Sequence, residues 1–236
     1  MQITKVKMTV ISTIYEKKMR NTIISLEGNI GSGKSTLLKF LEEALAENKQ
    51  IVFLKEPVDE WENITDNEGT TMLQKFYVDQ EKYSFPFQMM AYISRLALMK
   101  KTMEENEDCI IITERSLFTD KYVFAKMLYE SGKIEDVCYK IYKQWFDTFA
   151  KDYPIEKMIY IKTTPEICHE RIGKRSRTGE EQIALDYLKK CDEYHEDMMD
   201  KIGVHQLELN GNVDIYENDY KKLNEWLKTI VNFICI

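Results

Sequence analysis

Short apolar runs alternate along the chain with longer stretches in which apolar residues recur every three or four positions. That alternation is the pattern of a parallel sheet flanked by helices. Five short runs with β-branched cores predict buried strands at Thr22–Glu27, Ile51–Lys55, Cys109–Glu114, Met158–Ile161 and Val204–Leu209. Helical periodicity covers Ser35–Glu47, Ser84–Glu105, Leu117–Glu130 and Ile134–Phe149. In Glu180–Ile202 the stripe is Ala184, Leu188, Cys191, Tyr194, Met198 and Ile202, and in the last helix it runs from Tyr216 through Leu223 and Ile230 to Ile234. No internal repeat, Pro/Ser-rich linker or low-complexity segment interrupts the pattern. The expectation is one α/β domain over residues 22–236, with a three-layer arrangement around a five-stranded parallel sheet.

Composition narrows the class. With 44% apolar and 31% charged residues among 236, the chain reads as globular with a buried core. A net charge of −7 argues against a dedicated nucleic-acid binder, which needs a basic face. Cys109, Cys138, Cys168, Cys191 and Cys235 are scattered, odd in number and without a CxxC pair, which favours a reducing compartment over a disulfide framework. No apolar run approaches the roughly 18–20 residues of a membrane span. The first twenty residues carry five cations against Glu16. Such an extension (residues 1–21) reads as a frayed basic tail, with a cytoplasmic location, or as an organelle transit peptide, with a mitochondrial one.

The strongest chemical signal is Gly28-Asn29-Ile30-Gly31-Ser32-Gly33-Lys34-Ser35, followed by Thr36. It matches GxxxxGK[ST] without a mismatch, between an apolar strand and an amphipathic helix. Glycines let backbone N–H groups curl around phosphate oxygens, and the helix turns its positive end to the same charge. Lys34 can then reach the β- and γ-phosphates, and the Ser35 hydroxyl can ligate Mg²⁺. This fold class is a P-loop α/β domain, which by itself implies nucleoside-triphosphate binding and no particular reaction.

Two carboxylates stand at strand ends, where a parallel sheet opens its ligand crevice. Glu114 closes the third strand and occupies the place of a metal-holding acid; Arg115 beside it can stabilise charge on a transferring phosphoryl group. Glu56 follows the second strand and precedes Pro57, whose fixed backbone ends the strand. A carboxylate there suits general-base work on a hydroxyl. On the long Ser84–Glu105 helix, Gln88, Ala91 or Tyr92, and Arg95 share one face, so an amide and a guanidinium sit among Phe, Met, Leu and Ile. Such polar groups need partners: a ligand, the backbone or Asp120.

Taken together, these stretches resemble the deoxynucleoside kinase family. The resemblance runs from about Ile23 to the C-terminus and rests on Leu26-Glu27-Gly28-Asn29-Ile30; Glu56-Pro57-Val58 with Trp61; Phe85-Pro86-Phe87-Gln88 with Ser94-Arg95; Glu114-Arg115-Ser116 with Asp120, Tyr122 and Phe124; and Arg171, Arg175 and Arg177. It implies ATP as phosphate donor, Mg²⁺ held by Ser35 and Glu114, and a deoxynucleoside as acceptor. It implies that Glu56 takes the 5′-hydroxyl proton, with Lys34 on the phosphates and Arg115 steadying the hydroxyl and the developing charge. Gln88 would read the base edge, Phe87 and Phe124 would pack on the base, and Trp61 would wall the pocket. Tyr77 and Glu180 would hold the 3′-hydroxyl, although Thr178-Gly179 before Glu180-Glu181 leaves Glu181 as an alternative. The arginine run resembles the family's lid over the ATP phosphates, and Asn210–Ile215, with Asp214, its donor-base loop.

Within the family, arginine at the position of Arg95 and aspartate at that of Asp120 mark the deoxycytidine and purine kinases; thymidine-preferring members carry uncharged residues there. The resemblance therefore implies deoxycytidine, deoxyadenosine or deoxyguanosine over thymidine. It also implies a homodimer, with apolar faces on the Ser84 and Leu117 helices available for packing between subunits. Competing readings are a thymidylate or other nucleoside-monophosphate kinase, which would need extra cations for an acceptor phosphate and fits the apolar Phe87/Gln88 helix less well than a neutral nucleoside does, and a non-catalytic interaction protein, against which intact Lys34, Ser35, Glu56 and Arg115 argue. A regulatory GTPase would need an NKxD-type guanine motif, and none is present.

Overall fold

In the computed structural model, which describes residues 21–175 and 180–235, the five expected strands form one sheet. They are β1 (Thr22–Glu27), β2 (Ile51–Leu54), β3 (Ile110–Glu114), β4 (Lys157–Lys162) and β5 (His205–Asn210). All neighbours pair in parallel, in the order β2-β3-β1-β4-β5. Parallel pairing sends every strand end of one polarity to one side of the sheet, so the residues after β1, β2 and β3 converge there.

The helices are α1 (Lys34–Ala44), α2 (Val58–Glu62), α3 (Met72–Val78), α4 (Gln80–Glu105), α5 (Leu117–Thr119), α6 (Lys126–Glu130), α7 (Asp136–Phe149), α8 (Pro165–Arg175), α9 (Leu185–Lys201) and α10 (Glu217–Cys235). Successive strand residues face opposite layers. On one face Ile24, Leu26 and Ile112 pack with Leu37, Leu38 and Leu41 of α1 and with Leu223, Trp226 and Ile230 of α10. On the other, Ile23, Ile111 and Met158 pack with Met99 of α4 and with Met198 and Met199 of α9. Burying one such aliphatic side chain contributes about 1.5–3 kcal/mol, which is why the strands read so plainly.

Two expected helices are divided. Leu117–Glu130 is α5, a π turn at Asp120–Ala125, then α6. The wider turn lets Asp120 and Phe124 line a cavity while Val123 and Ala125 stay fully buried. Glu180–Ile202 begins as a separate 3₁₀ turn at Glu180–Gln182, because Ala184 is extended (φ −74°, ψ 150°) and the helix proper starts at Leu185. Helices α2 and α3 were not expected from periodicity, since one or two turns hold too few apolar repeats. Helix α3 is marked by a capping box: Gln74 N–H donates to Thr71 Oγ1 (3.2 Å) and Thr71 N–H to Gln74 Oε1 (2.9 Å). Among the described residues Cys109, Cys138, Cys168 and Cys191 are free thiols, and no helix is long and apolar enough to cross a membrane.

Candidate active site

Beyond the C-terminal ends of β1, β2 and β3 lies a cavity of about 970 Å³. Its floor is the loop after β1, where Gly28, Gly31 and Gly33 have φ of 144°, 80° and 105°. Those values need glycine, and at Gly31 space needs it too: a Cβ there would lie 2.5 Å from the Cys168 carbonyl of α8. Helix α1 begins at Lys34 with no side-chain cap, so its first N–H groups are left for an anion. Ile30, Gly31, Ser32, Gly33, Lys34, Ser35 and Thr36 line the cavity. Gly28 and Asn29 sit beneath it; Asn29 Nδ2 donates to the Leu188 carbonyl of α9 (2.9 Å) and ties the loop to that helix.

Lys34 Nζ donates to the Gly28 and Asn29 carbonyls, at 3.1 and 2.8 Å. Burial, then the charge of Arg115, pushes its ammonium down to about 7, so a bound polyanion would favour its charged form. Ser35 Oγ donates to Glu114 Oε1 at 2.6 Å. This hydroxyl–carboxylate pair at the phosphate loop is a hard-oxygen donor set of the kind Mg²⁺ takes.

Charged side chains form a chain across the cavity wall. Arg115 Nη1 donates to the Gly28 carbonyl (3.0 Å), and Arg115 Nε lies 3.4 Å from Glu56 Oε1. Glu56 in turn accepts from Arg95 Nη2 at 2.8 Å. Arg95 also donates to Asp120 Oδ2 (Nε, 3.0 Å) and to the Glu114 carbonyl (Nη1, 2.9 Å). Burial raises the Glu56 carboxyl, but Arg115, Arg95 and Lys34 outweigh it and hold the acid at about 2. Asp120 goes the other way: burial pushes it up to about 6 against the pull of Arg95. Arg115 has a positive φ of 64°, held by its N–H on the Leu26 carbonyl (3.0 Å) and by Thr113 Oγ1 on its own carbonyl (3.0 Å). A non-glycine residue in that region costs of order 1–3 kcal/mol and persists only when its surroundings fix it.

The apolar end is built on α4. Phe87 stacks on Phe76 of α3 (4.5 Å, 15°) and meets Trp61 edge to face (5.8 Å, 77°); Trp61 Nε1 donates to Ser94 Oγ at 2.8 Å. Gln88 is 1% exposed, and its Oε1 has no hydrogen-bond partner among the described residues. A buried amide oxygen left so costs about 1–3 kcal/mol unless a ligand supplies the donor. Ala91 and Phe124 complete this wall, with the Arg115 guanidinium 5.0 Å over the Phe124 ring.

Tyr77 meets Tyr187 edge to face at 6.3 Å, and burial, then the charge of Glu180, raises its hydroxyl. Glu180 is buried and paired with Arg175 of α8. Arg171 reaches from α8 to the Ser32 and Val213 carbonyls (3.3 and 3.2 Å), and Asp214 accepts from Tyr216 N–H at 2.8 Å. All of these line the same cavity. Arg177 and the side chain of Glu181 lie outside the described residues. The sequence reading did not include Phe76, Tyr187, Tyr216 or Trp226 in the lining. Phe76 carried a signal: it precedes Tyr77 on a helix whose Thr71/Gln74 box is visible in the sequence.

A sequence model described as deoxynucleoside kinase matches residues 24–232. The chain belongs to the deoxynucleoside kinase family. A probable deoxycytidine kinase of fowlpox virus is 34% identical over 219 residues, 89% of this chain and 87% of that protein. Human deoxycytidine kinase is 32% identical over 240 residues (88% and 91%), and human mitochondrial thymidine kinase 2 is 31% identical over 188 (79% and 67%). The resemblance drawn from the motifs is thus a family relationship, and the P-loop α/β fold and the kinase class agree with it. Deoxynucleoside kinases named for different bases stand at similar distances from this chain, so identity does not choose its base; the wall of the cavity must.

Proposed function

We propose that this deoxynucleoside kinase transfers the γ-phosphoryl of ATP to the 5′-hydroxyl of deoxycytidine, deoxyadenosine or deoxyguanosine in preference to thymidine, in nucleotide salvage. One observation carries the reading: a single cavity joins the phosphate loop to the Phe87/Gln88 pocket, with Glu56 and Arg115 linking the two ends.

In this mechanism the glycine loop, Lys34 and the α1 N-terminus bind the ATP phosphates. Ser35 and Glu114 would hold Mg²⁺, which supplies charge neutralisation on the β- and γ-phosphates when bound. Arg171 and Arg175 belong to the lid that closes over them. The base pocket holds the ring between Phe87 and Phe124 against Trp61, with the orphan Gln88 Oε1 taking a donor from the base edge. Tyr77 and Glu180 hold the 3′-hydroxyl. The 5′-hydroxyl then enters beside Glu56, displacing part of its contact with the two arginines. That displacement raises the pKa of a carboxyl held at about 2, which makes it a better proton acceptor. Arg115 stays on the developing charge. Charged Arg95 and Asp120 leave the wall unsuited to the methyl group of thymine, which supports the base preference.

The proposal includes a homodimer. Val137, Ile141, Trp145 and Phe149 form an exposed apolar stripe on α7, with Ile93 exposed on α4 and Tyr122 after α5. The stripe lies mainly on α7, so this surface is richer there than on the two helices expected from sequence. It also includes a kinase domain over residues 22–236 and a cytoplasmic location, or a mitochondrial one if the basic N-terminal extension, which lies outside the described residues, is a transit peptide.

The test is transfer from Mg-ATP to each of the four natural deoxynucleosides, with E56Q as control. Turnover of deoxycytidine or a purine deoxynucleoside is expected, with the variant slower by roughly 10²–10⁴-fold. Turnover of thymidine in preference to the others contradicts the base assignment. ATP binding without transfer to any of the four contradicts the reaction.

A further inference from the structure

His195 is a fully buried histidine on α9 that the sequence reading did not single out. Its Nδ1 lies 2.6 Å from the Cys191 carbonyl one turn earlier. A carbonyl oxygen can only accept, so Nδ1 carries the hydrogen. In a neutral ring Nε2 is then bare and can only accept. Arg115 Nη1, which can only donate, lies 3.4 Å from it. Both contacts thus require the same neutral tautomer. Burial, followed by the repulsion of Arg115, pushes this imidazole down to about 3 against the pull of the Cys191 and Gly28 carbonyls, so the ring is neutral at neutral pH.

The surroundings fix the ring as well. Phe124 meets it edge to face (6.1 Å, 88°), and Tyr160 of β4 lies nearly parallel to it (6.5 Å, 15°). Tyr160 is itself tethered through its hydroxyl to Glu196 Oε1 at 2.8 Å. Arg115 Nη1 divides its donors between the Gly28 carbonyl and His195 Nε2, while Nε faces Glu56. A long, flexible guanidinium on a left-handed backbone position is thereby aimed from behind by a rigid ring.

We infer that His195 is a positioning residue for phosphoryl transfer: its bare Nε2 orients the Arg115 guanidinium between the phosphate loop and Glu56. This rests on the proposed reaction, in which Arg115 acts on the developing charge. An arginine aimed before substrate arrives stabilises the transition state more than the ground state, so the effect belongs in kcat.

The test uses three substitutions with different remaining atoms. Gln keeps an acceptor at the Nε2 position, Asn keeps only the Cys191 contact, and Phe fills the space with neither. H195N and H195F are expected to lower kcat about tenfold with little change in the nucleoside KM, and H195Q to recover most of that loss, as for one hydrogen bond to a charged group. In an R115K background H195F should add little, because the guanidinium it aims is already gone. Equal losses in both backgrounds, or loss confined to KM, would assign His195 to packing alone. Nitrogen-correlated NMR of the wild-type imidazole gives a readout independent of turnover and of how the variants fold. The Nδ1–H tautomer is expected at neutral pH, and an Nε2–H tautomer overturns the inference. A wild type that phosphorylates no deoxynucleoside defeats the proposed reaction, whereas an active wild type with unaffected H195N and H195F defeats only the role of His195.

Discussion

Asp120 and Glu56 share one guanidinium, yet their carboxyls are shifted in opposite directions, and that difference can be measured. Folded Asp120 titrates at about 6 against an ordinary value of 3.8, so between those limits the folded chain holds one proton more than the unfolded chain. Its contribution to stability therefore grows as pH falls from 6 towards 3.8. Glu56 has the opposite sign: its contribution is complete above its ordinary 4.5 and is lost as pH falls towards 2. Urea unfolding between about pH 4.5 and 6 isolates the first effect. The stability of the wild type relative to D120N is expected to rise on acidification in that window, and a falling difference would contradict the burial argument. Several residues that line the candidate site were legible in the sequence: Gln88 and Arg95 are polar on an apolar helix, and Glu56 and Glu114 stand at strand ends. His195 was not, because one histidine among Cys191, Tyr194 and Met198 looks like any other member of a core stripe. Only the three-dimensional meeting of α9 with Arg115 gives it a partner.

Helix α3 shows how much a short element depends on its ends. It has seven residues, too few to be stable by propensity, yet it supplies Phe76 and Tyr77 to the cavity. The Thr71/Gln74 capping box satisfies two backbone donors and fixes where the helix starts. T71A is expected to cost about 1 kcal/mol in urea unfolding and to raise the nucleoside KM more than the ATP KM. A larger effect on ATP would mean that α3 serves the phosphate end. Element by element, the strands were legible because β-branched runs bounded by turns have few alternatives. The π turn at Asp120–Ala125 was not, because Leu117, Val123 and Leu128 keep an apolar rhythm whether the turn holds 3.6 residues or more. The break at Ala184 was hidden likewise: alanine is at home in a helix, and only its extended backbone marks the boundary.

At the scale of the molecule, the stripe of Val137, Ile141, Trp145 and Phe149 leaves α7 with an apolar outer face, on which Trp145 and Phe149 stack at 5.6 Å. Sedimentation of the wild type is expected to give a dimer and that of W145E a monomer; a wild-type monomer would leave the stripe to some other partner. The sheet brings a second long-range arrangement. Through Arg95, the end of β2, the end of β3, helix α4 and the π turn all meet at one guanidinium. The residue proposed to discriminate among bases is therefore also one of the three cations, with Arg115 and Lys34, that hold down the carboxyl of the proposed catalytic base. Replacing it to admit another nucleoside would reshape the pocket and retune Glu56 in the same stroke. For anyone redesigning this enzyme, and for natural variation acting on it, selectivity and turnover cannot be adjusted independently at position 95. After such a change Arg115 and Lys34 would be left to hold the Glu56 carboxyl down.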